Sequence, residues 1–109
     1  NTVCIEGECK TGVGKLAYKT GEVYEGDLVD YQANGVGKIY YLNGDIYSGD
    51  MNAGKPHGKG VLTLNNTNEK GTIESIWYEG KLNGEAKKTL LPENTVEYLI
   101  YRAGKISEK

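Results

Sequence analysis

The strongest constraint on this chain is an internal repeat of 23 residues, marked by glycine. "GVGKLAYKTGEVYEG" from Gly12 to Gly26 matches "GVGKIYYLNGDIYSG" from Gly35 to Gly49. Gly12 falls on Gly35, Gly14 on Gly37, Leu16 on Ile39, Tyr18 on Tyr41, Gly21 on Gly44, Tyr24 on Tyr47 and Gly26 on Gly49. A further step of 23 reaches Gly58 and Gly60 in "GKGVLTL". A period of this length implies stacked supersecondary units, none of which buries its apolar face alone. The 109 residues suffice for one domain with a modest core.

Each unit reads as a β-hairpin, and side-chain parity sets its register. A two-residue Asn43-Gly44 turn would place Tyr40 opposite Tyr47. A three-residue loop, Leu42-Asn43-Gly44, with left-handed Gly and a bulge, instead pairs Ile39 with Tyr47 and Gly37 with Gly49. The same rule pairs Leu16 with Tyr24 and Gly14 with Gly26. The third unit is eight residues longer. A loop at Glu69-Lys70-Gly71 there pairs Leu62 with Tyr78 and Gly60 with Gly80, and leaves the polar tip "NNTNEKG" as a mobile overhang. Gly14, Gly26, Gly37, Gly49, Gly60 and Gly80 are then structural, forming a side-chain-free slot for tyrosine rings. Tyr18, Tyr24, Tyr41, Tyr47 and Tyr78 form that layer, with Leu16, Leu28, Ile39, Met51, Leu62 and Leu82 on the same face. The opposite face carries Lys15, Glu25, Lys38, Ser48, Lys59 and Glu79. Nearer the tips it has Ala17 with Val23, Tyr40 with Ile46, and Thr63 with Trp77.

The segments "YEGDLVDYQANGVG" from Tyr24, "YSGDMNAGKPHGKG" from Tyr47 and "YEGKLNGEA" from Tyr78 resemble the membrane occupation and recognition nexus, or MORN, repeat. That family has 23-residue units built on Tyr-x-Gly, a large apolar residue and Gly-x-Gly. The resemblance covers roughly residues 5–86. The family's usual Trp two residues after the Gly is Leu28, Met51 and Leu82 here, and the final glycine of the short unit at Tyr78 is Ala86. The expected architecture is all-β: an elongated, twisted antiparallel meander of about four hairpins in a single domain over 1–109. Its units lie near 5–23, 24–46, 47–77 and 78–109. The last unit is degenerate. A Pro92-Glu93-Asn94 loop sets Ala86 opposite Ile100 and Lys88 opposite Tyr98, so both glycine positions are filled and the hairpin caps the array. Ala103-Gly104 makes one more turn into a short strand.

The chemistry-bearing residues are sparse. "GVGK" lacks the strand-to-helix context that a phosphate loop needs, so its glycines are structural. His57, the lone histidine, has no positioned partner for acid–base work and reads as a linker residue. No catalytic residue, metal site or cofactor motif emerges, and the expectation is no enzyme. Two cysteines and one histidine do not complete a zinc site. Cys9 aligns with the core positions Leu28 and Met51, and Cys4 with Val23 and Ile46 on the other face. Five extended residues span about 16 Å, so a bridge requires the strand to curl at Glu6-Gly7. Either it does, and the protein belongs to an exported or cell-envelope setting, or Cys9 is a small core hydrophobe.

A net charge of −2 offers no basic face for nucleic acid or for anionic lipid. No apolar run reaches membrane-spanning length, and no stretch reads as a signal peptide. The chain opens on Asn1 rather than Met, as a trimmed fragment or processed form does. The resemblance implies a scaffold for protein–protein interaction or self-association, with a protein or peptide partner or a second copy. Phospholipid head-group binding is the alternative, and carbohydrate binding on exposed aromatics a third. Candidate partner-binding residues are Trp77, Tyr40, Tyr24, Tyr47 and Tyr78. Trp77 has two readings, local cover for the long hairpin or an anchor for a partner.

Overall fold

The computed structural model describes residues 2–107. It is one antiparallel sheet of eleven strands with no helix among the described residues. The strands are β1 (Val3–Gly7), β2 (Thr11–Ala17), β3 (Val23–Val29), β4 (Gln32–Tyr40), β5 (Ile46–Asn52), β6 (Lys55–Asn65), β7 (Lys70–Tyr78), β8 (Lys81–Leu82), β9 (Gly84–Leu90), β10 (Thr95–Arg102) and β11 (Lys105–Ser107). They pair in chain order, except that β8 pairs only β7, and β7 continues to β9. The sheet measures 40 × 27 × 19 Å.

The first two hairpins have the expected register: Gly14 faces Gly26 and Leu16 faces Tyr24, Gly37 faces Gly49 and Ile39 faces Tyr47. Gly7 also faces Gly14, Gly26 faces Gly37, and Gly49 faces Gly60, so the glycine row runs unbroken across six strands. Tyrosine rings cover it. A methyl on Gly37 would lie 2.5 Å from Tyr24 Cζ, and one on Gly60 2.6 Å from Tyr47 Cζ. Both rings are fully buried. The Tyr24 hydroxyl donates to the Asp27 carbonyl and that of Tyr47 to Asp50, each at 2.7 Å.

Asp27 and Asp50 mark a second device of the repeat. Between Gly26 and Leu28 the register slips, so Asp27 alone opposes Asn34, Gly35 and Val36. The Val36 amide donates to the Asp27 carboxylate at 3.1 Å. Asp50 repeats this with the Lys59 amide at 3.3 Å. A carboxylate beside each bulge thus accepts an amide that the ladder leaves over. Below the bulges, two-residue turns with paired positive φ reverse the chain at Asp30-Tyr31, Ala53-Gly54, Glu79-Gly80 and Ala103-Gly104. The second residue of each donates back to the preceding unit: Tyr31 to Lys10, Gly54 to Ala33, Gly80 to Pro56 and Gly104 to Leu82.

The third hairpin departs from expectation. Leu62 faces Ile73 rather than Tyr78, and Gly60 faces Ser75 rather than Gly80. The reason lies in the turn. Asn66 Oδ1 accepts the Asn68 and Glu69 amides, both at 2.9 Å, and closes a four-residue loop at 66–69, ahead of the expected Glu69-Lys70-Gly71. The partner of Leu62 moves by five, an odd number, so every side chain on β7 changes face. Trp77 enters the core and stacks edge-on against Tyr47, ring centroids 5.0 Å apart, in the slot that is Leu28 and Met51 in earlier units. Tyr78 points outward, and Gly80 lies in a base turn instead of the glycine row. Nor is the tip a loose overhang. The Asn65 amide and Asn66 Nδ2 donate to Asp45 Oδ1 at 2.8 and 2.9 Å, and Leu64 is buried.

The last hairpin slips by one. Its loop has four residues, Leu91 to Asn94, with Asn94 at φ +60. Ala86 therefore faces Leu99 and Lys88 faces Glu97, which buries Tyr101 and leaves Tyr98 outside. A second core cluster of Leu64, Ile73, Ala86 and Tyr101 closes this end. The short strand after Ala103-Gly104 forms as expected.

At the other edge, Cys4 and Cys9 form a disulfide with Cα atoms 5.9 Å apart. The strand does curl: Gly7 takes φ +80, and the Glu8 amide bonds the Val13 carbonyl. A bulge at Ile5 sets Cys4 opposite Leu16, not on the Val23 face expected of it. Cys9 Sγ lies 3.2 Å from where a methyl on Gly14 would sit, so the bridge crosses the pair Gly7–Gly14. Sulfur covers the glycine row here, as tyrosine does further on.

Candidate functional site

The side of the sheet that carries the tyrosine layer is incompletely covered. Tyr18 and Tyr41 follow Leu16 and Ile39 on this face and pack on the core while keeping half-exposed rings. Glu22 lies between them. Its carbonyl accepts the Tyr18 amide at 2.9 Å, and the pairing of Tyr24 with Ile39 places it next to Tyr41 on the other side. Tyr18, Glu22 and Tyr41 thus form one row across three neighbouring strands.

Two adjoining clefts open on this row. One, of about 510 Å³, is lined by Glu22, Tyr41, Leu62, Trp77, Lys81 and Leu82 among others. The second, of about 420 Å³, is lined by Tyr18, Lys19, Glu22, Ile39, Tyr41 and Pro56 among others. Glu22 and Tyr41 belong to both, so the clefts form a continuous groove. Burial, and after it the Glu22 charge, raises the phenol pKa of both Tyr18 and Tyr41. Burial does the same for Tyr24 and Tyr47, helped by Asp27 and Asp50.

Asp45 is the counterpart of Glu22 one repeat on. It is buried, which alone would raise its pKa. Hydrogen bonds from the Asn65 amide, Asn66 and Asn43, with the Lys70 charge, outweigh burial and lower it. Asp45 also lines the first cleft, but its carboxylate is taken up tying two hairpin tips together, whereas that of Glu22 is not.

The residues expected to meet a partner do not gather in one place. Tyr24 and Tyr47 are fully buried beneath the groove. Trp77, 5% exposed, forms part of its wall. Tyr40 lies on the opposite face, its hydroxyl 3.2 Å from Glu25. Tyr78 is exposed beside His57, ring centroids 5.0 Å apart, and His57 Nδ1 accepts the Glu79 amide. Of the glycines expected to be structural, Gly14, Gly26, Gly37, Gly49 and Gly60 line the row, and Gly80 does not. Glu22 was missed from the sequence. Its signal is the unit step from Glu22 to Asp45, two acids at one position of the repeat.

Beyond the groove, the opposite face alternates charge rather than concentrating it. Lys15 lies 3.3 Å from Glu6 and 3.7 Å from Glu25. Among the described residues, no three His, Cys, Asp or Glu side chains are grouped as metal ligands.

A comparison with protein families matches the MORN repeat at residues 24–46 and again at 47–69. A comparison with curated proteins finds no match.

Proposed function

This chain is a MORN repeat protein, and from that premise we propose a non-catalytic binding scaffold whose groove seats a segment of a protein partner. MORN repeats act as modules that often bind proteins or membrane phospholipids. The observation that carries the protein reading is the groove itself: a continuous, aromatic-walled depression on an otherwise tightly packed face. The lipid reading lacks a basic cluster to support it, since the lysines of the opposite face sit among glutamates. The disulfide supports an oxidising compartment, exported or in the cell envelope.

The test is selection of displayed peptides on the immobilised domain. The only tryptophan lines the groove, so its emission reports occupancy. Selected peptides should shift that emission and lose at least about tenfold in affinity on Tyr41→Ala or Leu82→Ala, in variants that melt cooperatively. Peptides that leave Trp77 emission unmoved and bind both variants like the parent would place the function elsewhere.

A second reading, self-association, draws on β1. This strand closes one end of the sheet with an open edge and more than half-exposed Val3 and Ile5. Sedimentation at several concentrations tests it. A mass that stays monomeric at high concentration excludes it.

A further inference from the structure

Repeat proteins offer an internal control: the same position can be compared where it serves the fold and where it does not. Residues 22 and 45 are such a pair. Both follow a turn glycine and both precede the buried tyrosine by two. Asp45 is consumed by structure, accepting from the Asn65 amide, Asn66 Nδ2 and Asn43 Nδ2. Glu22 is not. Its carboxylate accepts one hydrogen bond, from Thr20 Oγ1 at 3.3 Å, and makes no ion pair among the described residues. The residue that lost the structural task is also one methylene longer, which carries its charge from the turn toward the groove.

Resting on the groove reading above, we propose that Glu22, flanked by Tyr18 and Tyr41, is the receptor for a single lysine or arginine side chain of the partner segment. Each component has a physical role. A half-buried carboxylate without a counter-ion attracts a cation more strongly than one in bulk water. Tyrosine rings on both sides offer their negative faces to the same cation. That the Glu22 charge perturbs both phenols places it within electrostatic reach of both rings. The wider lining narrows the partner further. Lys19 stands in one cleft and Lys81 in the other, neither within ion-pair distance of Glu22. A run of basic residues would meet those lysines. One basic residue with neutral or acidic neighbours would not, so an acidic-flanked lysine or arginine fits and a polybasic tract does not.

The test uses the intact domain and two small probes, N-acetyl-arginine methylamide and its neutral isostere N-acetyl-citrulline methylamide, followed by NMR of the Tyr18 and Tyr41 rings. The arginine probe should shift both rings in the millimolar range. Its affinity should exceed that of citrulline by about fivefold or more and fall by a similar factor in Glu22→Gln. Equal shifts from citrulline, undiminished binding to Glu22→Gln, or no shift at either ring would overturn the proposal. The groove reading is judged separately. Peptides that bind through Tyr41 and move Trp77 emission, but contain no basic residue and ignore Glu22→Gln, retain the groove and refute its cation receptor.

Discussion

Gly37→Ala isolates what the glycine row does. The backbone at Gly37 lies outside the positive-φ region, so alanine brings no conformational strain and slightly favours folding by restricting the unfolded chain. Its new methyl would stand 2.5 Å from Tyr24 Cε1 and Cζ, where carbon atoms prefer about 3.5–4.0 Å. The ring must move by roughly 1 Å, yet it is fully buried and its hydroxyl is bonded to Asp27. Overpacking costs about 1–3 kcal/mol, and the weakened hydrogen bond about 0.5–1.5 kcal/mol. Less the alanine gain of roughly 0.4–1 kcal/mol, the expected loss is about 2 kcal/mol, within about 0.5–4 kcal/mol. The assay is urea unfolding of a double-mutant cycle with Tyr24→Leu, whose side chain stops short of Gly37. In that background Gly37→Ala should cost under about 0.5 kcal/mol, so nearly the whole penalty appears as coupling. Gly54→Ala is the contrast, since nothing lies within 4 Å of its methyl and only its φ of +85 resists substitution. An equal cost of Gly37→Ala in both backgrounds would show that the tyrosine ring is not what the glycine makes room for.

Two further outcomes follow from groups at the edges of the array. Asp45 has a lowered pKa in the folded protein, so its contribution is present above the ordinary carboxylate range and lost as pH falls through the folded value. Asp45→Ala should cost about 1–3 kcal/mol at pH 7 by orphaning the Asn65 amide, and acid titration of urea midpoints should show the gap to the parent closing below about pH 4; a gap constant with pH would sink the assignment. Cys4→Ala opens a six-residue loop, and the chain-entropy model assigns it about 2 kcal/mol. Its unfolding free energy should fall by that amount and its urea midpoint become insensitive to dithiothreitol, while a parent whose midpoint ignores dithiothreitol would show that β1 needs no covalent anchor.

The first two hairpins were legible in the sequence because one turn chemistry, Gly21 and Gly44, repeats at a fixed distance from Leu16 and Ile39. The third was misread for a local reason. "YEG" at Tyr78 imitates the core motif, but Asn66 closes the loop early by accepting two amides, and a side chain's choice of backbone partner is not visible as spacing. The same holds for the bulge at Ile5, which turns Cys4 toward the face of Cys9. Asp27 and Asp50 could have been read, since they recur at 23, but their role follows only once the bulge is known. The groove was partly legible through Tyr18 and Tyr41. Glu22 gained meaning only beside the hydrogen bonds of Asp45.

The glycine row ends at Ser75, which faces Gly60 across the ladder and spends its hydroxyl on the Glu85 carbonyl at 2.9 Å. At its other end the row passes beneath a disulfide. Both termini are thus chemically closed, whereas every junction between them presents glycine to glycine. A tandem duplication of 24–46 would join like surfaces at both seams and lengthen the sheet without creating a new kind of contact. A copy inserted beyond Ser75 would find no glycine to receive its tyrosine. The glycine row can therefore lengthen only from the inside, between two ends that stay as they are.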